Sequence, residues 1–236
     1  TDSEILFFFL YYVKLNKDQL ISKLERSWSS IRQKARLLKL GSKKNANIVK
    51  ISNETNEGYY WLGFLIADGH FNSSGQLEVN LSKKDLQHLK RFADFIEYKK
   101  VLVKPRISIN YREIEGWLSQ FEIMHNKTYN PCSFSHLTED RLFSFIIGFI
   151  DGDGSIDKRG CLQIKCHKVW LANLTFMIQV LSQNPNYQGT INKEGLAIVW
   201  LTKIEIMKKI RRHAELLSLP FLERKWSRVQ LGKLSK

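Results

Sequence analysis

Two short apolar segments of the chain share one pattern of hydrophobic and polar positions. The first is WLGFLIADG (Trp61–Gly69) and the second is IIGFIDGDG (Ile146–Gly154). Both patterns predict a buried helix that ends in Asp-Gly, and 85 positions separate Asp68 from Asp153. A carboxylate at the C-terminal end of a helix faces the negative end of the helix dipole, which is unfavourable. Because the chain makes this unfavourable choice twice, we expect the two acids to have a function.

Each of these predicted helices also carries two small residues, four positions apart on one face. They are Gly63 and Ala67 in the first helix, and Gly148 and Gly152 in the second. Glycine inside a helix costs about 1 kcal/mol relative to alanine, and it is tolerated where two backbones approach closely. We therefore expect the helices to pack along these faces and to bring the two terminal carboxylates together. Adjacent carboxylates fit a divalent cation and metal-assisted phosphodiester hydrolysis.

The pattern that follows each apolar segment is also repeated. After the first come a strand over 76–82, a helix over about 84–98, strands near 101–103 and 106–110, and a helix over about 113–124. After the second come a strand over 161–167, a helix over about 169–182, strands near 188–192 and 196–201, and a helix from 202. We therefore predict an α+β protein with two pseudo-symmetric α-β-β-α-β-β-α repeats, whose antiparallel sheets form a saddle.

Alternation along these strands places polar side chains on one face of each predicted sheet. In the first repeat they are Gln76, Glu78, Asn80, Ser82, Arg106, Ser108 and Asn110, and in the second they are Gln163, Lys165, His167, Gln188 and Asn192. Such residue types contact base edges and phosphates, so we predict that these side chains bind DNA. Plain solvation of a sheet surface is the alternative interpretation of any one strand.

Residues 1–44 are predicted to form three short helices, the first of them the buried apolar run Ile5–Val13. Asn16 and Ser27 are the predicted N-caps of the second and third helices. The third helix resembles the DNA-contacting helix of a helix-turn-helix module. Its side chains outside the apolar stripe are Arg32, Gln33, Lys34 and Arg36. A solvated basic face is the alternative.

The composition between these regions predicts the domain boundaries. Residues 45–57 contain few apolar side chains, which is typical of a linker. The first repeat is then expected over 58–130 and the second over 131–236.

The charge of the chain indicates what kind of partner it binds. The 37 Lys and Arg outnumber the 23 Asp and Glu and give a formal charge of +14. Residues 1–50 hold 11 of the basic and four of the acidic residues, half of the total excess. Nucleic acid is the commonest polyanionic partner of such proteins, and a basic, solvated surface is the alternative.

Cysteine usage and hydropathy indicate the compartment. The three cysteines form no CxxC pair, which predicts free thiols in a reducing, intracellular compartment. The longest apolar run has nine residues, too short to cross a bilayer, so we expect no membrane partner. The expected location is the cytoplasm of a bacterial or phage host, with an organelle as the alternative.

The two apolar segments match the nine-residue signature of the LAGLIDADG homing endonucleases. Over residues 58–232 the chain resembles the monomeric members of that family, which carry two repeats. The resemblance implies that Asp68 and Asp153 bind metal and that Ala67 and Gly152 lend backbone carbonyls to it. The stretches NKTYNP and LPFLERK resemble those that supply a lysine near each cleavage centre, here Lys127 and Lys225. Surface lysines, or Arg224 in place of Lys225, are the alternatives.

This resemblance implies a monomeric, site-specific endonuclease that makes a double-strand break in a long asymmetric DNA target. The implied cofactor is Mg²⁺, or another divalent cation such as Mn²⁺ or Ca²⁺. One alternative is an RNA maturase that assists group I intron splicing, with the host intron RNA as its partner. A second alternative is a DNA-binding regulator that does not cleave, although such proteins tend to lose the two acids.

Overall fold

The computed structural model describes residues 2–12, 14–38, 45–102, 104–123 and 126–231. The chain divides into two compact units, Thr1–Asn45 and Ala46–Lys236. The described residues of the first unit form three helices: α1 (Asp2–Tyr11), α2 (Lys17–Leu24) and α3 (Trp28–Leu37). Their shared core is made of Phe8, Tyr12, Leu20, Ile31 and Ala35.

Both predicted N-caps of the first unit are confirmed. The Asn16 side chain accepts a hydrogen bond from the Gln19 backbone N–H at 2.8 Å, and the Gln19 side chain accepts one from the Asn16 N–H at 2.9 Å. The Ser27 hydroxyl accepts a hydrogen bond from the Ser30 N–H at 3.3 Å. These bonds satisfy backbone donors that would otherwise have no partner at a helix start.

The prediction that the apolar run at the start of the chain is buried is wrong for much of α1. Phe8 and Tyr12 are buried, but Leu6 and Phe9 are each 59% exposed. A ten-residue helix that is apolar all round can bury only one side against two short neighbours. Val13, the predicted end of this run, lies outside the described residues.

The second unit contains both repeats. The first repeat consists of α4 (Asn56–Asp68), β1 (Gly69–Phe71), β2 (Gln76–Asn80), α5 (Leu86–Phe95), β3 (Arg106–Asn110) and α6 (Glu115–Leu118). The second consists of α7 (Glu139–Asp153), β4 (Gly154–Ile156), β5 (Leu162–His167), α8 (Leu171–Ser182), β6 (Thr190–Ile191), β7 (Leu196–Leu201), α9 (Ile204–Leu216) and α10 (Glu223–Trp226). Each repeat has one antiparallel sheet, ordered β1-β2-β3 and β4-β5-β7-β6. The predicted α+β class is confirmed.

Three elements differ from the sequence prediction. Val101 and Leu102 form no strand, and Val103 lies outside the described residues. Val101 is 87% exposed and Pro105 has no N–H for a sheet ladder, so neither burial nor pairing favours a strand there. The helix predicted over 113–124 is a series of single turns around α6, with Met124 outside the described residues. β6 has only two residues.

The predicted linker over 45–57 is not an unpacked segment. Residues Ile48–Ser52 form a 3-10 turn, and both Ile48 and Ile51 are buried in the main core. α4 also begins within the predicted linker, at Asn56, where the Thr55 hydroxyl accepts a hydrogen bond from the Gly58 N–H. The apolar run that contains Ile48 and Ile51 is too short to show a periodicity, so the sequence pattern did not reveal that they pack.

From the motif helices to the starts of α5 and α8, the two repeats correspond at a constant separation of 85 positions. The hairpin before β2 turns at Gly75 with φ +81°, and the hairpin before β5 turns at Gly160 with φ +82°. Asn72 Oδ1 accepts a hydrogen bond from the Gln76 N–H, and Asp157 Oδ1 accepts one from the Cys161 N–H, each at 2.9 Å. Each turn therefore uses a glycine that tolerates positive φ and a side chain that holds the loop closed.

Candidate active site

The motif helices α4 and α7 pack with their backbones almost in contact. A Cβ atom added to Gly63 would lie 1.9 Å from the Phe145 carbonyl oxygen, and one added to Gly148 would lie 1.9 Å from the Tyr60 carbonyl oxygen. One added to Gly152 would lie 2.2 Å from Ala67 Cβ. The expected packing along the small-residue faces is therefore confirmed, and it brings the C-terminal ends of the helices together.

Asp68 and Asp153 are the last residues of these two helices, and both side chains are exposed to solvent. Partial burial raises the pKa of Asp68, and the negative charge of Asp153 raises it further. Partial burial also raises the pKa of Asp153, against the opposing effects of two nearby lysines. The two carboxylates therefore interact with each other across the helix pair, as the sequence predicted.

The two predicted lysines lie at the same helix ends. Lys127 Nζ donates hydrogen bonds to the carbonyl oxygens of Ile66 and Ala67, the latter at 2.5 Å. Lys225 Nζ donates to the carbonyl oxygens of Asp151 at 2.5 Å and Gly152 at 3.0 Å. These carbonyls are among the groups that an α-helix leaves without an internal partner. Each ammonium group therefore caps one motif helix.

Of the two acids at the motif helix ends, each lysine interacts more strongly with the one in the other repeat. Burial lowers the pKa of Lys127, and Asp153 opposes this more than Asp68 does. Burial likewise lowers the pKa of Lys225; Asp151 of the same repeat opposes this most, and Asp68 opposes it more than Asp153 does. Lys127 and Asp153 lie together in a cavity of about 240 Å³. The cavity is also lined by Lys165, Cys166, His167 and Trp170.

Cys166 is a residue of this cavity that the sequence analysis did not single out. Its thiol donates a hydrogen bond to Asp153 Oδ2 at 3.7 Å. Burial and the Asp153 carboxylate raise the pKa of this thiol to about 12, so the thiol is protonated at neutral pH. Strand alternation places Cys166 on the apolar face of β5, and nothing in the pattern indicates that this face ends at the motif helix.

Asp151, which the sequence analysis did not assign to catalysis, is fully buried beneath the site. Its carboxylate accepts hydrogen bonds from the Tyr60 hydroxyl at 2.7 Å, the Leu222 N–H at 2.7 Å and Trp226 Nε1 at 2.8 Å. Leu222 and Trp226 flank Lys225 in the chain. The buried carboxylate therefore attaches the segment that carries Lys225 to the motif helix.

The stability of the protein should depend on pH through Asp151. Burial raises the pKa of Asp151 from 3.8 to about 6, so the folded state binds this proton more tightly than the unfolded state does. The free energy of unfolding should therefore fall as the pH rises through this interval. The test is thermal melting of the wild type and Asp151→Asn at about pH 5 and about pH 7.5. The amount by which the wild type melts at a higher temperature than Asp151→Asn should shrink at the higher pH. A constant or growing difference in melting temperature would contradict the raised pKa of Asp151.

The donor atoms at the helix ends fit a hard divalent cation. Within the described residues no cluster of three or more His, Cys, Asp or Glu side chains is present, so the protein offers two carboxylates with backbone carbonyl oxygens beside them. Oxygen-only donors with positions left for water or phosphate suit Mg²⁺. The carbonyls of Ala67 and Gly152 already accept hydrogen bonds from the lysines, but each carbonyl oxygen has a second lone pair.

The first sheet presents the predicted polar face on two paired strands. Gln76 lies opposite Asn110, Glu78 opposite Ser108, and Asn80 opposite Arg106. The Arg106 guanidinium also forms an ion pair of 2.7 Å with Glu78. Ser82 lies just beyond β2, where its hydroxyl donates to Asp85 Oδ2 at 3.0 Å. The same face includes His70, opposite Glu78, which the pattern missed because β1 has only three residues.

The second sheet is less polar than predicted. Gln163, Lys165 and His167 do share one face of β5, but their partners on β7 are Trp200, Ile198 and Leu196. Gln188 is exposed and lies before β6. Asn192 lies in the turn after β6, where its side chain accepts a hydrogen bond from the Leu196 N–H at 2.9 Å. The prediction that Gln188 and Asn192 belong to a strand is therefore wrong.

In the first unit, α3 presents its predicted polar residues to solvent. Arg32, Gln33 and Arg36 are exposed and Lys34 is half-buried. On the opposite side of α3, Ile31 and Ala35 are buried in the core of that unit. The helix is therefore amphipathic as the sequence predicted. No helix of the described residues is both long and apolar enough to cross a membrane.

Comparison with known proteins gives similarities of fold. No protein-family model and no curated protein matches the sequence. The chain is similar to the LAGLIDADG homing endonuclease I-LtrWI bound to target DNA, with a TM-score of 0.45 and 13% identity, over 75% of this chain and 87% of the other. It is similar to the meganuclease I-SmaMI bound to uncleaveable DNA (TM-score 0.44, 14% identity, 72% and 88% covered) and to mesophilic variants of the homing endonuclease I-DmoI (0.44, 14%, 70% and 90%).

Proposed function

We propose that this protein is a LAGLIDADG homing endonuclease that cuts both strands of a DNA duplex in a metal-dependent reaction. The observation that carries the proposal is the pair of exposed carboxylates, Asp68 and Asp153, at adjoining helix ends, with the half-buried Lys127 and the buried Lys225 beside them. Two such constellations in one compact unit match one centre for each DNA strand. The protein then needs no second subunit and acts as a monomer.

The chain contributes charge and position to this reaction. Asp68 and Asp153 would hold the cation, with Ala67 and Gly152 offering their carbonyl oxygens. When bound, a divalent cation supplies stabilisation of the charge that develops on the phosphate and activates water. Lys127 and Lys225 each bring one positive charge to the same place, which stabilises the negative charge of the transition state.

DNA would lie against the polar faces of the two sheets. The first sheet offers paired amides, a hydroxyl and Arg106 to base edges, whereas the second offers Lys165 and His167 beside the 39% exposed Trp200. Two sheets with different side chains suit two different half-sites. The proposed target is therefore long and asymmetric.

The test of the proposed function is cleavage of a library of randomised duplex sites by the purified protein with Mg²⁺, with EDTA in the control. Metal-dependent double-strand cleavage of one enriched sequence is the expected result. Binding of an enriched sequence without cleavage would instead support a DNA-binding regulator. Failure to enrich any DNA sequence would leave intron RNA as the partner to test.

The exposed cations of α3 are expected to bind the phosphate backbone outside the cleavage site. Replacing Arg32 and Arg36 by alanine should weaken binding and reduce the slope of log affinity against log salt by about 2, because each neutralised phosphate contributes about 0.9. The matched control is Lys14→Ala with Lys17→Ala, which removes two exposed cations of the same unit outside α3. Equal loss of slope in both double variants would contradict a specific role for α3.

A further inference from the structure

The segment that carries each site lysine is held by side chains from the other repeat. Hydrogen bonds from Trp170 and Asn173, in the second repeat, reach the segment 127–132, which carries the lysine of the first repeat. Contacts from Asp85 and Arg91, in the first repeat, reach the segment 221–224 of the second. We name these two sets of contacts the tryptophan brace and the aspartate brace.

The tryptophan brace acts on the backbone around Lys127. Trp170 Nε1 donates to the carbonyl oxygens of Lys127 at 3.2 Å and Thr128 at 3.1 Å. Asn173 Nδ2 donates to the Cys132 carbonyl oxygen at 2.8 Å. Trp170 is only 3% exposed and packs against Phe149 of the motif helix, with the ring centroids 5.3 Å apart. The indole is therefore itself fixed in position and can fix the lysine segment.

The aspartate brace acts on the residues just before Lys225. Asp85 Oδ1 accepts from Arg224 Nε at 2.8 Å and Oδ2 accepts from Nη2 at 3.0 Å, a two-bond pairing. Such bidentate pairs are stronger and more directional than single ion pairs. Arg91 Nη1 adds a bond to the Phe221 carbonyl oxygen at 3.3 Å. The carboxylate of Asp85 is 13% exposed on its side chain, so solvent screens this pair only in part.

Asp85 and Trp170 are equivalent residues of the two repeats. They are 85 positions apart, the same separation as Asp68 and Asp153. Each is the last residue of a 3-10 turn, Lys83–Asp85 or Lys168–Trp170, and each directly precedes a long helix, α5 or α8. The same place in the fold thus holds the lysine segment of the other repeat with different chemistry.

The support of the two lysines is also unequal. Asp151 gives the Lys225 segment a second attachment, through Leu222 and Trp226. The corresponding position of the first repeat is Ile66, whose side chain has no polar atom. The Lys127 segment therefore depends more on Trp170 than the Lys225 segment depends on Asp85.

We propose that Trp170 and Asp85 are positioning residues, each of which places the lysine of the opposite repeat at its cleavage centre. The proposal rests on the proposed endonuclease function. It means that the two strand cleavages depend on separate contacts, one on an indole and one on a carboxylate–guanidinium pair. A change in either brace should slow the cleavage of one strand only.

Strand-resolved cleavage tests the proposal. The duplex recovered from the library is labelled differently on its two strands, and Lys127→Met and Lys225→Met show which strand depends on which lysine. Trp170→Phe should slow the Lys127-dependent strand about tenfold, since one hydrogen bond contributes up to about 1.5 kcal/mol. Asn173→Ala, a milder change, should slow the same strand. Asp85→Asn should slow the Lys225-dependent strand by a smaller factor, about threefold.

The matched control is Trp61→Phe. Trp61 is a fully buried tryptophan whose Nε1 donates to Glu57 at 3.2 Å, a hydrogen bond within α4. Trp61→Phe should slow the cleavage of both strands equally, because it changes only the stability of the protein. Equal slowing of both strands by Trp170→Phe or by Asp85→Asn would overturn the proposal.

A second readout does not require cleavage. In the metal-free protein, the rate of acetylation of each lysine is measured by mass spectrometry. Trp170→Phe should raise the rate at Lys127 severalfold and leave Lys225 unchanged, and Asp85→Asn should do the reverse. If the wild type does not cut DNA, the proposed function fails, but the acetylation rates still test whether each brace holds its lysine in place. Unchanged rates, or equal increases at both lysines, would overturn them.

Discussion

Replacing Asp68 or Asp153 by asparagine is expected to lower metal-dependent cleavage by about a thousandfold or more. Metal-ion stabilisation of a transition state is worth several kcal/mol, and each 1.4 kcal/mol or so is a factor of ten in rate. Asparagine keeps the shape of the side chain but removes the charge that is proposed to hold the cation. Affinity for DNA should be kept or should rise, because a negative charge that faces phosphate is lost.

The control for this pair is Asp94→Asn. Asp94 is exposed on α5, and its replacement changes the net charge by the same amount. Cleavage of the labelled duplex is measured with Mg²⁺ present. Binding of the duplex is measured with EDTA in place of Mg²⁺. Cleavage at the wild-type rate by both site variants, with metal still bound, would contradict the assignment of the two acids. If Asp94→Asn lost as much cleavage activity as the two site variants, the net charge of the protein, and not the position of the acid, would explain the loss.

Gly148→Ala is expected to destabilise the protein by about 3 kcal/mol or more, a large part of the stability of a typical domain. The new Cβ would lie 1.9 Å from the Tyr60 carbonyl oxygen and 2.9 Å from the Phe64 backbone nitrogen. Both are backbone atoms of a packed helix, so only separation of α4 and α7 can relieve the contact. That separation also moves Asp68 away from Asp153, so any folded fraction should cut poorly.

Gly116→Ala is the matched control, because no atom of the described residues lies within 4 Å of a Cβ at that position in α6. It should change stability by no more than about 1 kcal/mol, in the stabilising direction for a helical site. Urea unfolding followed by circular dichroism measures both variants. A midpoint of Gly148→Ala close to that of the wild type would show that the helices are not in the contact described above.

Features that depend on local periodicity could be predicted from the amino-acid sequence. The motif helices, their small-residue faces and the caps at Asn16 and Ser27 follow from spacing over a few residues. Two helices that carry glycine at matching positions have few ways to pack, so the meeting of Asp68 and Asp153 could also be predicted. Lys127 and Lys225 came from the family resemblance, and the structure places both at the motif helix ends.

Features that depend on contacts between distant segments could not be predicted and became visible only in the folded chain. Ile48 and Ile51 are buried although nothing in their neighbourhood is periodic, whereas Leu6 and Phe9 are exposed in an apolar helix. β7 turns apolar residues toward a face that alternation in β5 had marked as polar.

The same holds for the side chains that support the site. The burial of Asp151 and the bonds from Trp170 and Asp85 join residues about 40 to 140 positions apart. No spacing rule reaches that far, because a side chain finds such a partner only after helices and sheets have packed. The chain thus specified its two acids locally, and the packing of one repeat against the other decided what holds the lysines beside them.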